Sequence, residues 1–205
     1  MKQYPSINSS NGQSFKEFVA DVFDKLDGSN LRFEWSKKQG WYKFGTRHRL
    51  FDHTDPVFGK AISTWSNDWA EPMAKIAKDS RWESVIAFAE FHGPNSLGGV
   101  HDPNDEHKLT LFDVAPYKKG ILGPKEFLKT FGHLEIPRYL GKVNWTRDFV
   151  AKVRTNEIEG VTLEGVVGKS GEGHDLYMAK AKTQIWIDKI LARYGQEEGQ
   201  KLISS

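Results

Sequence analysis

The chain has 205 residues, no cysteine and a net charge of +2, which excludes disulfide scaffolds, thiol catalysis and cysteine-ligated zinc. Its length suits one large domain that buries its own core, and its 38% hydrophobic and 27% charged content is that of a globular protein. No apolar run approaches the ~20 residues that cross a bilayer, and the opening residues lack the apolar stretch of a secretory signal, so a cytoplasmic protein without a membrane partner is expected.

In chain order, residues 1–13 are polar and expected to be loose. Ser14 and Glu17 form a capping-box pattern, which predicts a short helix or turn, followed by a strand at about 19–26 that runs into the turn Asp27-Gly28. Residues 30–36 and 40–47 alternate as strands. Between Arg32 and Arg49 the cations Arg32, Lys37, Lys38, Lys43, Arg47 and Arg49 are interleaved with Phe33, Trp35, Trp41, Tyr42 and Phe44. Two readings stand: a solvated hairpin with its aromatics turned inward, or a basic, aromatic surface for nucleic acid.

Residues 66–79 are predicted as a helix with Trp69, Met73, Ile76 and Ala77 on one face and Pro72 in the first turn. Segments 84–91 and 108–114 are predicted strands. Gly123-Pro124 opens a short helix that stops at Gly132, and 146–154 is another. Segments 161–169 and 175–182 make a hairpin around 170–173. A last helix carries Ile187, Ile190, Leu191 and Tyr194, with Trp186 docking it and Gly195 as its stop. The seven histidines show no metal-binding spacing, and the polar stretch from His101 to His107, with Asp102 and Asp105, is expected to be a solvated loop. Mostly antiparallel strands with scattered helices indicate an α+β fold.

Four segments place charge where apolar neighbours make it costly. Lys25 precedes the tight turn in Lys25-Leu26-Asp27-Gly28, and a lysine amine is nucleophilic only when neutral. Glu90 shares a strand face with Ile86 and Phe88, and a carboxylate there needs a partner or ligand. Glu164 sits in the apolar run Leu163-Glu164-Gly165-Val166-Val167. Lys180 and Lys182 project from one strand face, where a phosphate between them relieves their repulsion.

In this order the segments resemble the motifs of the ATP-dependent polynucleotide ligases and capping enzymes, a covalent nucleotidyltransferase family. Lys25 to Gly28 resembles KxDG, and Phe44-Gly45-Thr46-Arg47 the arginine-bearing strand that follows. Phe88-Ala89-Glu90-Phe91 resembles FGEF. Leu111-Phe112-Asp113-Val114 resembles the aromatic strand, Glu164 to Val167 resembles EGxV, and Lys180-Ala181-Lys182 resembles KxK. Asn30, the run Glu90 to Ser96 and Pro137 to Gly141 are most similar to RNA ligases of the second phage type, while Asp27 is the choice of DNA ligases and capping enzymes.

The resemblance implies an ATP-grasp-like ligase adenylation fold with mainly antiparallel sheets flanked by helices. It implies ATP and Mg²⁺ (or Mn²⁺) as cofactors. Lys25 would be the nucleophile that takes AMP from ATP. Arg47 and Glu90 would hold the ribose or a nearby phosphate, Phe112 would stack on adenine, Asn30 would line the nucleotide site, Glu164 would place the metal, and Lys180 and Lys182 would contact the α-phosphate while lowering the pKa of Lys25. The activity implied is joining of a 5′-phosphate to a 3′-OH in nicked or paired RNA. A small DNA ligase, a capping guanylyltransferase and a non-catalytic nucleotide or nucleic-acid binding module are the alternatives. Only 23 residues follow Lys182, so a single adenylyltransferase domain over 1–205 is expected, with no OB-fold or other C-terminal domain. A separately encoded partner subunit could supply that domain, or Lys37, Lys38 and Lys43 could hold nucleic acid in its place.

Overall fold

The computed structural model describes residues 3–10, 15–94, 98 and 106–204. In chain order these form β1 (Asn8–Ser9), β2 (Phe18–Lys25), β3 (Ser29–Ser36), β4 (Gly40–Thr46), β5 (Leu50–Phe51), α1 (Gly59–Thr64) and, after a wide helical turn at Trp65–Trp69, α2 (Ala70–Asp79). Then come β6 (Ser84–His92), β7 (Lys108–Pro116), α3 (Pro124–Phe131), β8 (Tyr139–Trp145), α4 (Arg147–Arg154), β9 (Gly165–Ser170), β10 (Tyr177–Lys182) and α5 (Gln184–Ser204). The α+β expectation holds.

The strands build two five-stranded sheets, one ordered β1-β10-β9-β2-β8 and the other β5-β4-β3-β6-β7. All pairings are antiparallel except β1 on β10. The turn after Lys25 carries the chain from the first sheet into the second. Strand alternation then sorts the side chains. On β3, Leu31, Phe33 and Trp35 enter the largest core, shared with Trp65, Met73, Phe127 and Phe131. Phe33 stacks on Trp65 with ring centroids 4.0 Å apart, and burying each such ring contributes about 2–3 kcal/mol. On the other sheet Ala20, Val22, Val166, Ala179 and Ala181 pack with Trp145 of β8 and Val153 of α4. The opposite faces of the two sheets meet over Tyr4, Phe88, Ala115 and Met178.

Three expectations need correction. Residues 3–10 are not loose: Tyr4 is 4% exposed, Asn8 and Ser9 pair with Ala179 and Lys180, and Ser10 accepts from the Trp145 indole at 3.0 Å. Residues 1, 2 and 11–14 lie outside the description, and Ser14 with them. No helix precedes β2 among the described residues, because β2 is drawn between β9 and β8, where Ala20 and Val22 are buried completely. The helix predicted at 66–79 starts at Gly59, since Ala61, Ile62 and Trp65 continue its apolar face into the core. Pro72 does lie in the first turn of α2, and Gly132 does cap α3.

Candidate active site

The register of the strands assembles the site. Lys25 on β2 and Lys182 on β10 both pair with Gly165 of β9, so the three form one row across the first sheet. Glu164 stands immediately before that row, with its backbone fixed by Thr183, whose amide donates to the Glu164 carbonyl at 3.0 Å. Asp24 anchors the approach: its carboxylate accepts from the Thr162 amide at 3.0 Å and the Thr162 hydroxyl at 2.9 Å. On the facing sheet Asn30, Glu90 and Thr110 form a second row. Two glycines permit the close approach. A Cβ on Gly28 would lie 2.5 Å from the Phe91 carbonyl oxygen, and one on Gly165, at φ +145°, would lie 2.0 Å from that of Ala181.

These rows wall a pocket of about 540 Å³. Lys25, Asn30, Arg47, Glu90, Phe112, Glu164, Lys180 and Lys182 all line it. The three lysines put forward for nucleic acid do not line it. Lys37 and Lys38 belong to the β3–β4 turn, and Lys43 pairs with Glu34 at 3.5 Å. The basic, aromatic stretch is not one surface either: Phe33, Trp35, Trp41 and Phe44 pack into the core and Arg32 is buried, which leaves Tyr42 as its exposed aromatic. The inward-facing reading of those rings is the one the fold adopts.

At the centre, Glu164 bridges two lysines. Its Oε2 is 2.9 Å from Lys25 Nζ and its Oε1 is 3.3 Å from Lys182 Nζ. Burial pulls the Lys25 amine down, but the charge of Glu164 and, in the alkaline range where it is ionised, that of Glu90 outweigh it and the net shift is upward. Lys180 and Lys182 do repel the Lys25 charge, but the net fall expected from them is not seen, because the carboxylates outweigh them. Lys180 itself is pulled down to about 8, by burial first and then by Lys182 and Lys25. Burial also lowers Lys182, with Glu164 opposing it. Glu90 is pushed up to about 8, mainly by burial, with Lys25 pulling the other way and Glu164 and Asp27 reinforcing the rise. At neutral pH Glu90 is thus largely a neutral acid, able to donate as well as accept a hydrogen bond.

The pocket therefore offers a lysine on its floor, two more lysines at partly depressed pKa, a guanidinium at Arg47 and an aromatic ring at Phe112. It suits a molecule with an aromatic base, hydroxyls and phosphates. Among the described residues no three His, Cys, Asp or Glu side chains gather to hold a metal by themselves. The buried Glu164 carboxylate fits a hard divalent cation as one oxygen ligand, the remainder coming from phosphate oxygens and water.

Comparison with solved structures identifies this architecture. An archaeal ATP-dependent RNA ligase superposes with a TM-score of 0.66 at 16% identity, over 100% of this chain and 56% of its own. The Naegleria gruberi RNA ligase, in a substituted form with AMP and Mn, gives 0.63 at 15% identity over 83% of this chain and 51% of its own. The same ligase with ATP and Mn gives 0.62 at 16%. The fold is that of the ATP-dependent RNA ligases. The chain spans about half the length of these ligases. In sequence, no family model and no curated protein matches it.

The ligase fold also brings in residues that the sequence did not single out for the site. Tyr4, Lys169, Pro137, Trp186 and Leu202 line the pocket. The Tyr4 hydroxyl donates to Asp113, and Lys169 donates to Asp113 at 2.7 Å and to the Phe112 carbonyl at 2.9 Å. This buried trio fixes the strand that carries Phe112, against whose ring Tyr4 sits edge-on at 5.1 Å. Lys169 has a sequence signal, a lysine at the end of an apolar strand five residues after Glu164. Tyr4 has none, because its partner lies 109 residues away.

Proposed function

We propose that the chain is an ATP-dependent RNA ligase acting through a covalent Lys25–AMP intermediate. One observation carries the reading: Glu164 bridges Lys25 and Lys182 by ion pairs in a pocket that Arg47, Glu90, Phe112, Asn30 and Lys180 complete. In the first step the neutral Lys25 amine forms a bond to the α-phosphorus of ATP. The bond from that phosphorus to the oxygen bridging to the β-phosphate breaks, pyrophosphate leaves, and the nitrogen gives up a proton. Lys180 and Lys182 offset the charge that grows on the α-phosphate, where preorganised cations act most strongly. Phe112 stacks on the adenine, while Arg47, Glu90 and Asn30 face the ribose and its neighbouring phosphate. Glu164 would hold Mg²⁺ or Mn²⁺, whose charge neutralises phosphate oxygens. AMP then passes to an RNA 5′-phosphate, and attack by the adjacent 3′-OH seals the strand and releases AMP.

ATP labelled at its α-phosphate tests the first step. The label is expected to stay with the protein through denaturing electrophoresis and to be lost in Lys25→Ala. No label on the wild type, or equal label on both proteins, rejects the proposal. Labelling from GTP instead identifies a capping-type enzyme. Nicked RNA, nicked DNA and hybrid duplexes then separate RNA joining from DNA joining, and RNA sealing is the expected result.

A further inference from the structure

The helix α5 does not run straight. At Gly195 the backbone takes φ 76° and ψ 178°, a conformation open to glycine almost alone. The chain turns there and residues 196–204 continue as a second helical run. Gly199 makes the return close: a Cβ there would lie 3.1 Å from Leu191 Cδ2 and 3.4 Å from the Ile190 carbonyl oxygen. Ile203 seats the returning segment in a small apolar cluster with Trp186, Ile187 and Ile190.

This fold-back reaches the pocket. Leu202 lines it, and the Leu202 carbonyl accepts from Lys182 Nζ at 3.4 Å. The same ammonium lies 4.3 Å from the centroid of the Trp186 ring and 3.3 Å from Glu164. Lys182 is thus enclosed by groups from 164, 186 and 202. A neutral carbonyl at 3.4 Å is a long, weak acceptor, whereas a phosphate oxygen on a lysine is charge-assisted and about twice as strong.

We infer that residues 196–204 form a gate over the Lys182 side of the nucleotide site, in which the Leu202 carbonyl holds the place of a phosphate oxygen and is displaced by it. The inference rests on the proposal that Lys182 meets the α-phosphate. Its physical basis is a two-state element with glycines at both the turn and the contact. The closed state satisfies Lys182 without nucleotide, and the open state gives that lysine to phosphate.

The test uses the full chain as wild type, Gly195→Ala and Ile203→Ser, with AMP and with α-labelled ATP plus Mg²⁺ as probes. Alanine cannot comfortably hold the reversed conformation and favours a continuous helix by a factor of about five. Label transfer at sub-saturating ATP is expected to be about fivefold faster in Gly195→Ala, and to rise in Ile203→Ser, which loosens the seat without altering the turn. Amide hydrogen exchange across 196–204 is expected to accelerate when AMP binds to the wild type. Rates unchanged or lower in both variants overturn the gate. So does exchange that is unchanged or slower on AMP binding, which makes 196–204 a fixed wall while the nucleotide site stands. If neither the wild type nor either variant binds AMP or takes label, the nucleotide reading and the gate fall together.

Discussion

Glu164 accepts from Lys25 at 2.9 Å, and this bond keeps the proposed nucleophile protonated. The amine cannot attack until the carboxylate releases it. Glu164→Gln separates the two roles of the side chain. With the charge gone, burial dominates and the Lys25 pKa falls. Modification of Lys25 by an amine-directed reagent at pH 8 is then faster than in the wild type. Lysyl–AMP formation nevertheless drops by about 10²-fold or more, as is usual when a charged group that serves the transition state is lost. Peptide mapping of the modified lysine and the adenylylation rate read the two effects independently.

Glu90 predicts a pH dependence of stability. Its folded pKa, about 8, lies above the ordinary carboxylate value of 4.5. Between those values the folded chain holds a proton that the unfolded chain has lost, so stability falls as pH rises through the window. Below it both states are protonated and the penalty vanishes. Glu90→Gln removes the titration. Without nucleotide, the variant is expected to be more stable than wild type at pH 8 by about 1–3 kcal/mol, and to match it near pH 4.5. Urea midpoints at the two pH values check this, and equal midpoints at pH 8 would contradict it.

The centre of the pocket was legible in the sequence because its key charged residues stand out from local patterns. Glu164 breaks an apolar run, Lys180 and Lys182 repeat at the strand period, and Lys25 precedes a Gly-containing turn whose glycine contacts Phe91. The strand pattern and α3 were legible for the same reason: their periodicity is local. What could not be read is set by long-range packing. Nothing around Tyr4 announces Asp113, and nothing in the polar sequence at 8–9 announces a parallel partner in β10. Gly195 read as a stop, and it does end one helical run, but the return that places Leu202 on Lys182 depends on an apolar seat formed only in the fold. The polarity of the Lys25 environment was misjudged because the sequence shows which charges exist and not which lies nearest.

Tyr4 gives the N-terminal segment an energetic role that can be measured. Its hydroxyl supplies one of the two charged or polar partners of the buried Asp113, with Lys169 as the other. Tyr4→Phe keeps the ring against Phe88 and Phe112 and deletes only that bond. A loss of about 1–3 kcal/mol follows, the cost of an unsatisfied buried acceptor. Tyr4→Ala adds a cavity and is expected to cost about 3–5 kcal/mol. Thermal or urea unfolding measures both, and a Tyr4→Phe protein as stable as wild type would show that the trio does not brace this strand.

The exposed lysines of the β3–β4 turn remain the proposed contact for nucleic acid outside the pocket. Lys37 and Lys38 are exposed, whereas Lys43 is tied to Glu34. If the turn holds an RNA backbone, Lys37→Glu with Lys38→Glu removes up to two phosphate contacts. The slope of log affinity against log salt then becomes shallower by about 1–2 units. Lys43→Glu acts differently. It sets two carboxylates together beside the buried Arg32–Glu34 contact, so its first effect is on folding, seen as a lower melting temperature. Binding of a nicked RNA duplex across a salt series distinguishes the cases. Affinity and slope unchanged in the Lys37, Lys38 double variant at low salt would place the RNA path elsewhere, leaving the chemistry at Lys25 untouched.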